Sequence, residues 1–231
     1  MISFIIPAHN ESALIAATLG ALQVARSALV SPSEVIVVDD ASTDDTAAIA
    51  AAHGARVLRV EHRHIAATRN AGARAALGEL LIFVDADTTV GADVVRAAVA
   101  AIESGAIGGG CTVRLQAPTR WHERAAAAWF VWLLRLSRIA PGCFLFCTRS
   151  AFDAVGGFDP TWFAAEDVAI SRALRRHGRF VILREAVHTS GRKLQTFSIA
   201  EHLRLMLKIA THGKRVLKSR DALDLWYSDR R

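Results

Sequence analysis

Short apolar runs alternate with alanine-rich segments along the first 105 residues of this 231-residue chain. The runs are rich in β-branched residues, which predicts strands, and the segments between them have the length and spacing of helices. Strands joined by helices form a mostly parallel sheet that is buried on both faces, so we predict an α/β fold with right-handed crossovers. The expected strands are ISFII at 2–6, EVIVV at 34–38, ARVLRV at 55–60 and LLIFV at 80–84, with helices near 11–25, from about 44, near 66–77 and near 91–104.

The second half of the chain has a looser, α+β pattern. No change in composition marks a linker, so we expect one domain over residues 1–195, followed by a C-terminal extension at 196–231. Within that domain, the α/β half ends near residue 105 and the second half covers 106–195. The pattern predicts a strand at 107–115, a helix near 122–138, a strand at 143–148 and a helix at 166–177.

Acidic residues follow two of the predicted strands, at the edge where ligands bind in parallel sheets. Asp85 and Asp87 come directly after LLIFV, with one residue between them. Two such carboxylates can converge on a hard cation such as Mg²⁺, which completes its shell with water and substrate phosphate. The alternative is that they cap the following turn. After the second strand, Asp40 can accept a hydrogen bond from a nucleobase N–H, whereas residues 42–45 suit helix capping better.

The overall charge and the cysteines narrow the choice of partner and compartment. The net charge of +6, from 28 Lys and Arg against 22 Asp and Glu, favours anionic partners such as phosphates, nucleic acid or acidic lipid. Three cysteines form no even disulfide framework and no leader peptide is evident, so we expect a cytoplasmic location. The longest apolar stretch, at 125–134, is shorter than the roughly 20 residues of a membrane-spanning helix.

Six motifs, in order and spacing, resemble the family 2 glycosyltransferases of the GT-A fold, with a Rossmann-like nucleotide-binding sheet. They are FIIPAHNE at 4–11, VIVVDDASTDDT at 35–46, ATRNAGA at 67–73, LLIFVDAD at 80–87, GGFDP at 156–160 and AAEDVAISRALRRHG ending at Gly178. The resemblance covers residues 2 to 190. It implies that a sugar passes from a nucleoside-diphosphate sugar to an acceptor hydroxyl or phosphate, with inversion and with help from Mg²⁺ or Mn²⁺. Residues 1–105 would then bind the nucleotide sugar, and 106–195 would form the acceptor side.

The resemblance also implies roles for individual residues. Asp40 would read the base, Arg69 would lie near the base and diphosphate, and Asp167 would be the catalytic base. The nucleotide pocket would be lined by Pro7, Ala8 and Glu11, while ribose and metal would meet Asp85 and Asp87.

Four further residues are candidates for the same site. We expect His188 as a further metal ligand, Arg192 at the diphosphate, Trp162 stacked on the acceptor and Glu166 in contact with substrate. For three of them there is a structural alternative: His188 as a surface or core histidine, simple packing of the Trp162 indole, and an acid at Glu166 that suits the dipole at a helix start. We expect Cys143 and Cys147 to be core residues, because the other ligands of a zinc site are missing.

The chemistry of sugar transfer supports these roles. The leaving diphosphate must be neutralised, which a divalent ion and Arg69 can do electrostatically. The acceptor hydroxyl must lose its proton as it attacks, which a placed carboxylate such as Asp167 can accept.

Other functions fit the sequence less well. LIFVDADTT also resembles the opening motif of haloacid-dehalogenase-type phosphatases, but three strand–helix units precede it here and no lysine precedes Lys193. A dinucleotide oxidoreductase would need a G-x-G-x-x-G motif after the first strand. Nucleic-acid binding has no motif in support. The alternative to an enzyme is a non-catalytic nucleotide-binding or scaffold protein with the same fold.

The sequence of the C-terminal extension predicts a basic amphipathic helix. Its apolar positions, at 199, 203, 206, 207, 210 and 217, lie opposite Arg204, Lys208 and Arg215. Such a helix packs on the domain or lies in an anionic membrane surface, where WFVWLL at 129–134 would form a second contact. A membrane contact would place the chain at the inner face of the membrane. A lipid, a saccharide and a small molecule are all open as acceptors.

Overall fold

The computed structural model describes residues 1–115, 139–190 and 217. Over these residues one mixed sheet of eight strands is flanked by helices. The strands are β1 (Ile2–Ala8), β2 (Ser33–Asp40), β3 (Arg56–Val60), β4 (Leu80–Val84), β5 (Thr88–Thr89), β6 (Gly108–Leu115), β7 (Phe144–Thr148) and β8 (Phe180–Thr189). The helices are α1 (Ile15–Ser27), α2 (Thr46–Ala52), α3 (Ile65–Ala75), α4 (Ala92–Glu103), α5 (Arg149–Ala154) and α6 (Glu166–His177).

The strand order is β3-β2-β1-β4-β7-β6-β8-β5. The first four strands along the chain are parallel neighbours, as the βαβ pattern predicts. In the second half, β7 runs antiparallel to both β4 and β6, β8 is parallel to β6, and β5 is antiparallel to β8. The predicted α/β class and mostly parallel sheet are confirmed.

One expectation about burial is wrong. The sequence predicts that β3 is buried on both faces, but it pairs only with β2 at the edge of the described sheet, and Arg56 and Arg59 are exposed. Edge strands commonly carry charge, which discourages further pairing. Three elements, β5, α5 and β8, are absent from the sequence-based prediction: the first two are very short, and β8 includes the charged pair Arg184 and Glu185.

The core has two layers, one on each face of the sheet. Along β2, Val35 and Val37 belong to one layer, and Ile36 and Val38 belong to the other, because side chains alternate along a strand. The same alternation sends Asp39 and Asp40 to opposite faces.

Helix α3 lies very close to the sheet at Gly72. A Cβ atom at this position would overlap the side chains of Ile5 and Val38. Only glycine permits this approach, which fixes α3 firmly on β1 and β2.

The helix expected near 122–138, the 129–134 contact, Arg192 and the tail lie outside the described residues, apart from Leu217. The Leu217 carbonyl accepts hydrogen bonds from the backbone N–H groups of Phe163 and Ala164, at 2.9 and 3.2 Å. A contact of this kind is what the packed alternative for the tail predicts. Among the helices that can be described, none has the length and apolar character needed to cross a bilayer.

Candidate functional site

The loops that follow β1 and β2 are joined by hydrogen bonds at the carboxyl edge of the sheet. Asn10 donates its N–H to Ser42 Oγ at 3.0 Å and accepts one from Thr43 N at 2.8 Å. The N–H of Glu11 donates to Thr46 Oγ1 at 2.8 Å. In these loops Asn10 and Ala41 adopt left-handed conformations, with φ of 53° and 57°, which non-glycine residues rarely adopt. Pro7 and Ala8 are buried at the end of β1, and Glu11 is half-buried in the loop that follows.

Asp40 organises the start of α3. Its carboxylate accepts hydrogen bonds from the backbone N–H of Arg63 at 2.7 Å and of His64 at 3.0 Å, and from the Thr68 hydroxyl at 2.6 Å. Its backbone carbonyl also lies 2.6 Å from His9 Nδ1. These bonds support the chain that leads into α3, whose N-cap is His64. At the start of α2, the Asp44 carboxylate accepts the Thr46 N–H at 3.0 Å, as expected for one of residues 42–45.

Asp39 points the other way, into a cavity of about 300 Å³. This residue is only 5% exposed, and its Oδ1 atom has no hydrogen-bond partner. The cavity also touches Ser42, Asp44 and Arg59. Burial of Asp44 acts to raise its pKa, but hydrogen bonds from Thr46 and Ser12 outweigh it and lower the pKa to about 2. The cavity therefore has a strongly acidic wall on the face of β2 opposite Asp40.

Arg69 connects the two predicted acidic motifs. Its guanidinium donates to Asp85 Oδ1 at 2.8 Å, to Glu166 Oε1 at 2.6 Å and to the Gly142 carbonyl at 2.9 Å. Arg69 is 3% exposed, and burial alone would lower its pKa, but the charges of Asp85 and Glu166 outweigh that cost and raise the pKa instead. The structure thus places Arg69 between the acids, and Glu166 is bound to Arg69 rather than only aligned with the helix dipole.

Asp167 lies in the first turn of α6, next to Glu166. Burial, and then the negative charge of Glu166, raise the pKa of Asp167 to about 7, against an opposing effect of Arg69. Its Oδ1 accepts the backbone N–H of Val168 at 2.8 Å. A Cβ atom at Gly142 would lie 3.0 Å from its Oδ2, so the chain before β7 approaches this carboxylate closely. Such a carboxyl group is half ionised near neutral pH, which suits a general base.

Asp87 is held by hydroxyl groups from the far end of the sheet. Ser190 Oγ donates to its Oδ2 at 2.5 Å, and the Thr189 and Thr88 hydroxyls lie 3.4 Å from its Oδ1. The β5–β8 pairing places His188 opposite Thr89, so the strand end that carries His188 lies beside the Asp85–Asp87 loop. The His188 side chain is exposed.

The described acidic and histidine side chains form no group of three or more that could hold a metal ion by themselves. Mg²⁺ is commonly bound by one or two carboxylates, with phosphate oxygens and water as the other ligands. Half-buried Asp87 fits that mode, because its hydroxyl partners orient the carboxylate without burying it. The donor set therefore fits a metal that is shared with a bound diphosphate.

The loop before α6 is fixed by several contacts that the sequence does not reveal. Asn70 is hydrogen-bonded to both the N–H and the carbonyl of Phe158. The rings of His64 and Phe163 lie 4.6 Å apart, and burial lowers the His64 pKa. Asn70 lies inside the ATRNAGA motif, but its partner is 88 residues away, so no local pattern predicts this contact.

Trp162 lies in the same loop and is half-buried. Its indole N–H donates to Asp159 Oδ2 at 3.0 Å. That bond fixes the orientation of a ring expected at the acceptor side.

Comparison with known sequences identifies relatives over part of the chain. The family model "Glycosyl transferase family 2" matches residues 3–161. A validoxylamine A glucosyltransferase from Streptomyces hygroscopicus is 36% identical over 108 residues, which are 44% of this chain and 25% of that protein. An uncharacterized glycosyltransferase from Mycobacterium bovis is 33% identical over 105 residues, 46% of this chain and 45% of that one. The chain thus spans less than half the length of these curated relatives.

Solved structures share the fold at low sequence identity. A mannosyltransferase from Pyrobaculum calidifontis, in complex with GDP-Man and Mn²⁺, has a TM-score of 0.68 at 20% identity, over 97% of this chain and 72% of that one. TarS from S. aureus, in complex with UDP-GlcNAc, has a TM-score of 0.65 at 18% identity, over 97% of this chain and 78% of that one. These likenesses confirm the predicted GT-A fold, and the family model confirms the resemblance seen in the six motifs. The chain belongs to glycosyl transferase family 2.

Proposed function

We propose that this chain is a metal-dependent glycosyltransferase, which moves a sugar from a nucleoside-diphosphate sugar to an acceptor hydroxyl or phosphate with inversion. The observation that supports it most is the Arg69 cluster. One buried guanidinium binds Asp85 at the end of β4 and Glu166 at the start of α6. A donor held at the first acid would therefore lie close to the carboxylate beside the second, Asp167.

Asp87 is the proposed metal ligand, with Asp85 and His188 as further candidates at the same edge. A bound Mg²⁺ or Mn²⁺ would neutralise the leaving diphosphate. The carboxylate of Asp87 is oriented for this by Ser190 and Thr189. Since Arg69 is buried and already paired, we assign charge neutralisation to the metal and to Arg192, rather than to direct contact of Arg69 with phosphate.

Asp167 is the proposed general base. With a pKa of about 7, its carboxylate can accept the proton of an acceptor hydroxyl at neutral pH. Attack by that hydroxyl from the face opposite the diphosphate would invert the anomeric carbon. The indole of Trp162, oriented by Asp159, would form the platform on which the acceptor rests; a saccharide, a lipid and a small molecule all remain candidate acceptors.

Two neighbouring acids are candidates for recognising the base of the nucleotide. Asp40 is the one that the family resemblance implies, but its carboxylate already accepts three hydrogen bonds from the protein. Asp39 has a buried oxygen without a partner in the cavity on the other face. We propose Asp40 as the base contact, next to Pro7, Ala8 and Glu11, and the two acids can be separated by binding measurements on Asp39→Asn and Asp40→Asn.

A donor screen tests the proposed function directly. The protein is heated with UDP, GDP and dTDP sugars, each with Mn²⁺, Mg²⁺ or a chelator, and the melting temperature is recorded. A donor that stabilises the protein only with metal is then supplied with acceptors, and release of the nucleotide is measured. Stabilisation by one nucleotide class that requires metal supports the proposal. No shift with any donor would favour a scaffold protein instead, and release of inorganic phosphate from a simple phosphomonoester would favour the phosphatase.

Contact between the tail and an anionic membrane is a separate proposal, which the basic amphipathic pattern of residues 196–231 supports. Co-sedimentation of the full chain with anionic liposomes at low ionic strength tests it. Binding should weaken as salt is added, because surface charge is screened. If the protein stays in the supernatant at low salt, the membrane proposal is wrong.

A further inference from the structure

Asn70 makes a two-point contact with the chain that leads to Asp167. Its side-chain amide donates to the Phe158 carbonyl at 2.7 Å, and its Oδ1 accepts the Phe158 N–H at 2.9 Å. One donated and one accepted hydrogen bond to the same residue fix both the distance of that residue from Asn70 and its rotation. Gly157, with φ of 75°, allows the chain to approach, since a Cβ there would lie 2.8 Å from Asn70 Oδ1.

Arg69, the preceding residue of α3, holds the other end of the same segment. Its guanidinium binds Glu166 at 2.6 Å, and its Cζ lies 5.2 Å from the centre of the Phe158 ring. Adjacent residues of one helix therefore hold both ends of residues 158–166, which include Trp162 and lead directly to Asp167.

Helix α3 is itself firmly attached to the nucleotide side of the sheet. Asp40 binds its first turn through His64 and Thr68, and Gly72 packs without a gap on Ile5 and Val38. A displacement of residues 158–166 relative to β1, β2 and β4 would therefore have to break the contacts of Asn70 and Arg69.

We infer that Asn70 and Arg69 are positioning residues, which fix residues 158–166, and through them the Asp167 carboxylate, at a set distance from Asp85 and the donor. This inference rests on the proposed function, because it assigns the two residues to the geometry of transfer rather than to substrate contact. It differs from the position near the base and diphosphate that the family resemblance implies for Arg69.

Three variants test the inference: Asn70→Ala, Asn70→Asp and Arg69→Lys. The matched control is Arg74→Gln, because Arg74 is an exposed residue of the same helix. Asn70→Ala removes both hydrogen bonds. Asn70→Asp keeps the acceptor but turns an oxygen toward the Phe158 carbonyl. Arg69→Lys keeps the charge but cannot bridge two carboxylates and a carbonyl in a fixed plane.

We expect all three site variants to bind the donor nucleotide with Mn²⁺ about as tightly as the wild type. Their kcat at saturating donor should fall by about 10- to 100-fold, because small displacements of reacting groups are costly. Arg74→Gln should keep the wild-type kcat. A tenfold loss of nucleotide affinity in Arg69→Lys, with a normal kcat, would overturn the inference and restore direct diphosphate contact. An unchanged kcat in Asn70→Ala would also overturn it.

Hydrogen exchange on the full chain provides a readout that does not depend on activity. In Asn70→Ala, the amides of residues 158–166 should exchange faster, while those of β1, β2 and β4 keep their wild-type protection. Uniform loss of protection would indicate a general structural role and overturn the inference. If the wild type transfers no sugar but exchange is raised only in this segment, the proposed function fails and the positioning role of Asn70 stands.

Discussion

Replacing Asp167 with Asn should make the protein more stable above neutral pH while it removes transfer activity. Burial and the charge of Glu166 raise the pKa of Asp167 from an ordinary value of 3.8 to about 7. The folded state therefore favours the protonated carboxyl group, whereas the unfolded chain ionises it at lower pH. The stability that the protonated Asp167 carboxyl group provides is fully present below pH 3.8. It is lost progressively as the pH rises to about 7, because in this range the unfolded chain ionises and the folded state does not.

The size of the effect follows from the two pKa values. At pH 8 a fully buried carboxyl group with this shift would destabilise the fold by on the order of 4 kcal/mol. Asp167 retains some contact with solvent, so we expect the Asp167→Asn variant to gain about 2 kcal/mol at pH 8 and roughly 1 kcal/mol less than that at pH 5. Asn keeps the shape of the side chain and can still accept the Val168 N–H, so packing against Gly142 is preserved.

Urea unfolding of the wild type and Asp167→Asn at pH 5 and pH 8 measures this difference, with Arg74→Gln as the control for general effects of pH. In parallel, donor affinity should be kept while turnover falls by a factor on the order of 10² or more, since only proton acceptance is removed. For the wild type, turnover should fall about tenfold per pH unit below pH 7. An Asn variant that is no more stable than the wild type at pH 8 would refute the burial argument. Equal losses of binding and turnover would instead identify Asp167 as a structural cap.

Other substitutions test the remaining parts of the site. Asp87→Ala should abolish the metal dependence of donor binding and leave the protein folded, with a small loss of melting temperature because the Ser190 hydroxyl loses its acceptor; unchanged Mn²⁺ dependence in calorimetry would show that Asp87 is not a metal ligand. Asp40→Ala should lower the free energy of unfolding by about 2–4 kcal/mol, because three donors lose their acceptor. Asp39→Ala should cost much less, because its buried Oδ1 has no partner, and equal losses in urea unfolding would contradict this contrast. Gly142→Ala should reduce kcat about tenfold with donor affinity kept, since its Cβ would press on Asp167; a wild-type kcat would show that this close approach does not matter.

Local patterns in the sequence were sufficient for most strands of the first 105 residues. β1, β2 and β4 are short apolar runs that alternate with alanine-rich segments, a pattern typical of buried parallel strands joined by helices. The opposite orientations of Asp39 and Asp40 also follow from the two-residue period of a strand. The prediction failed for β3, because its burial depends on whether another strand pairs with its outer edge, and the local sequence does not encode that.

The acids at the strand ends were found from the sequence, but their partners were not. Arg69 and Glu166 are 97 residues apart, and Asp87 and Ser190 are 103 residues apart. These pairs meet only because β7 inserts antiparallel beside β4 and β8 then returns to β5. Whether Arg69 faces a phosphate or two carboxylates is settled by that strand order, not by the motif that contains it.

The α/β class, the positions of the first four strands and the acids at two of their carboxyl ends could thus be predicted from sequence, because they depend on side-chain periodicity within each element. The order of the strands in the sheet could not, because β4 pairs with β1 across two intervening strand–helix units. Long-range packing is what buries Arg69 between Asp85 and Glu166, brings Asn70 to Phe158 and raises the pKa of Asp167 to about 7. Burial and charge act through space, so a carboxylate acquires its pKa from whatever the fold places around it.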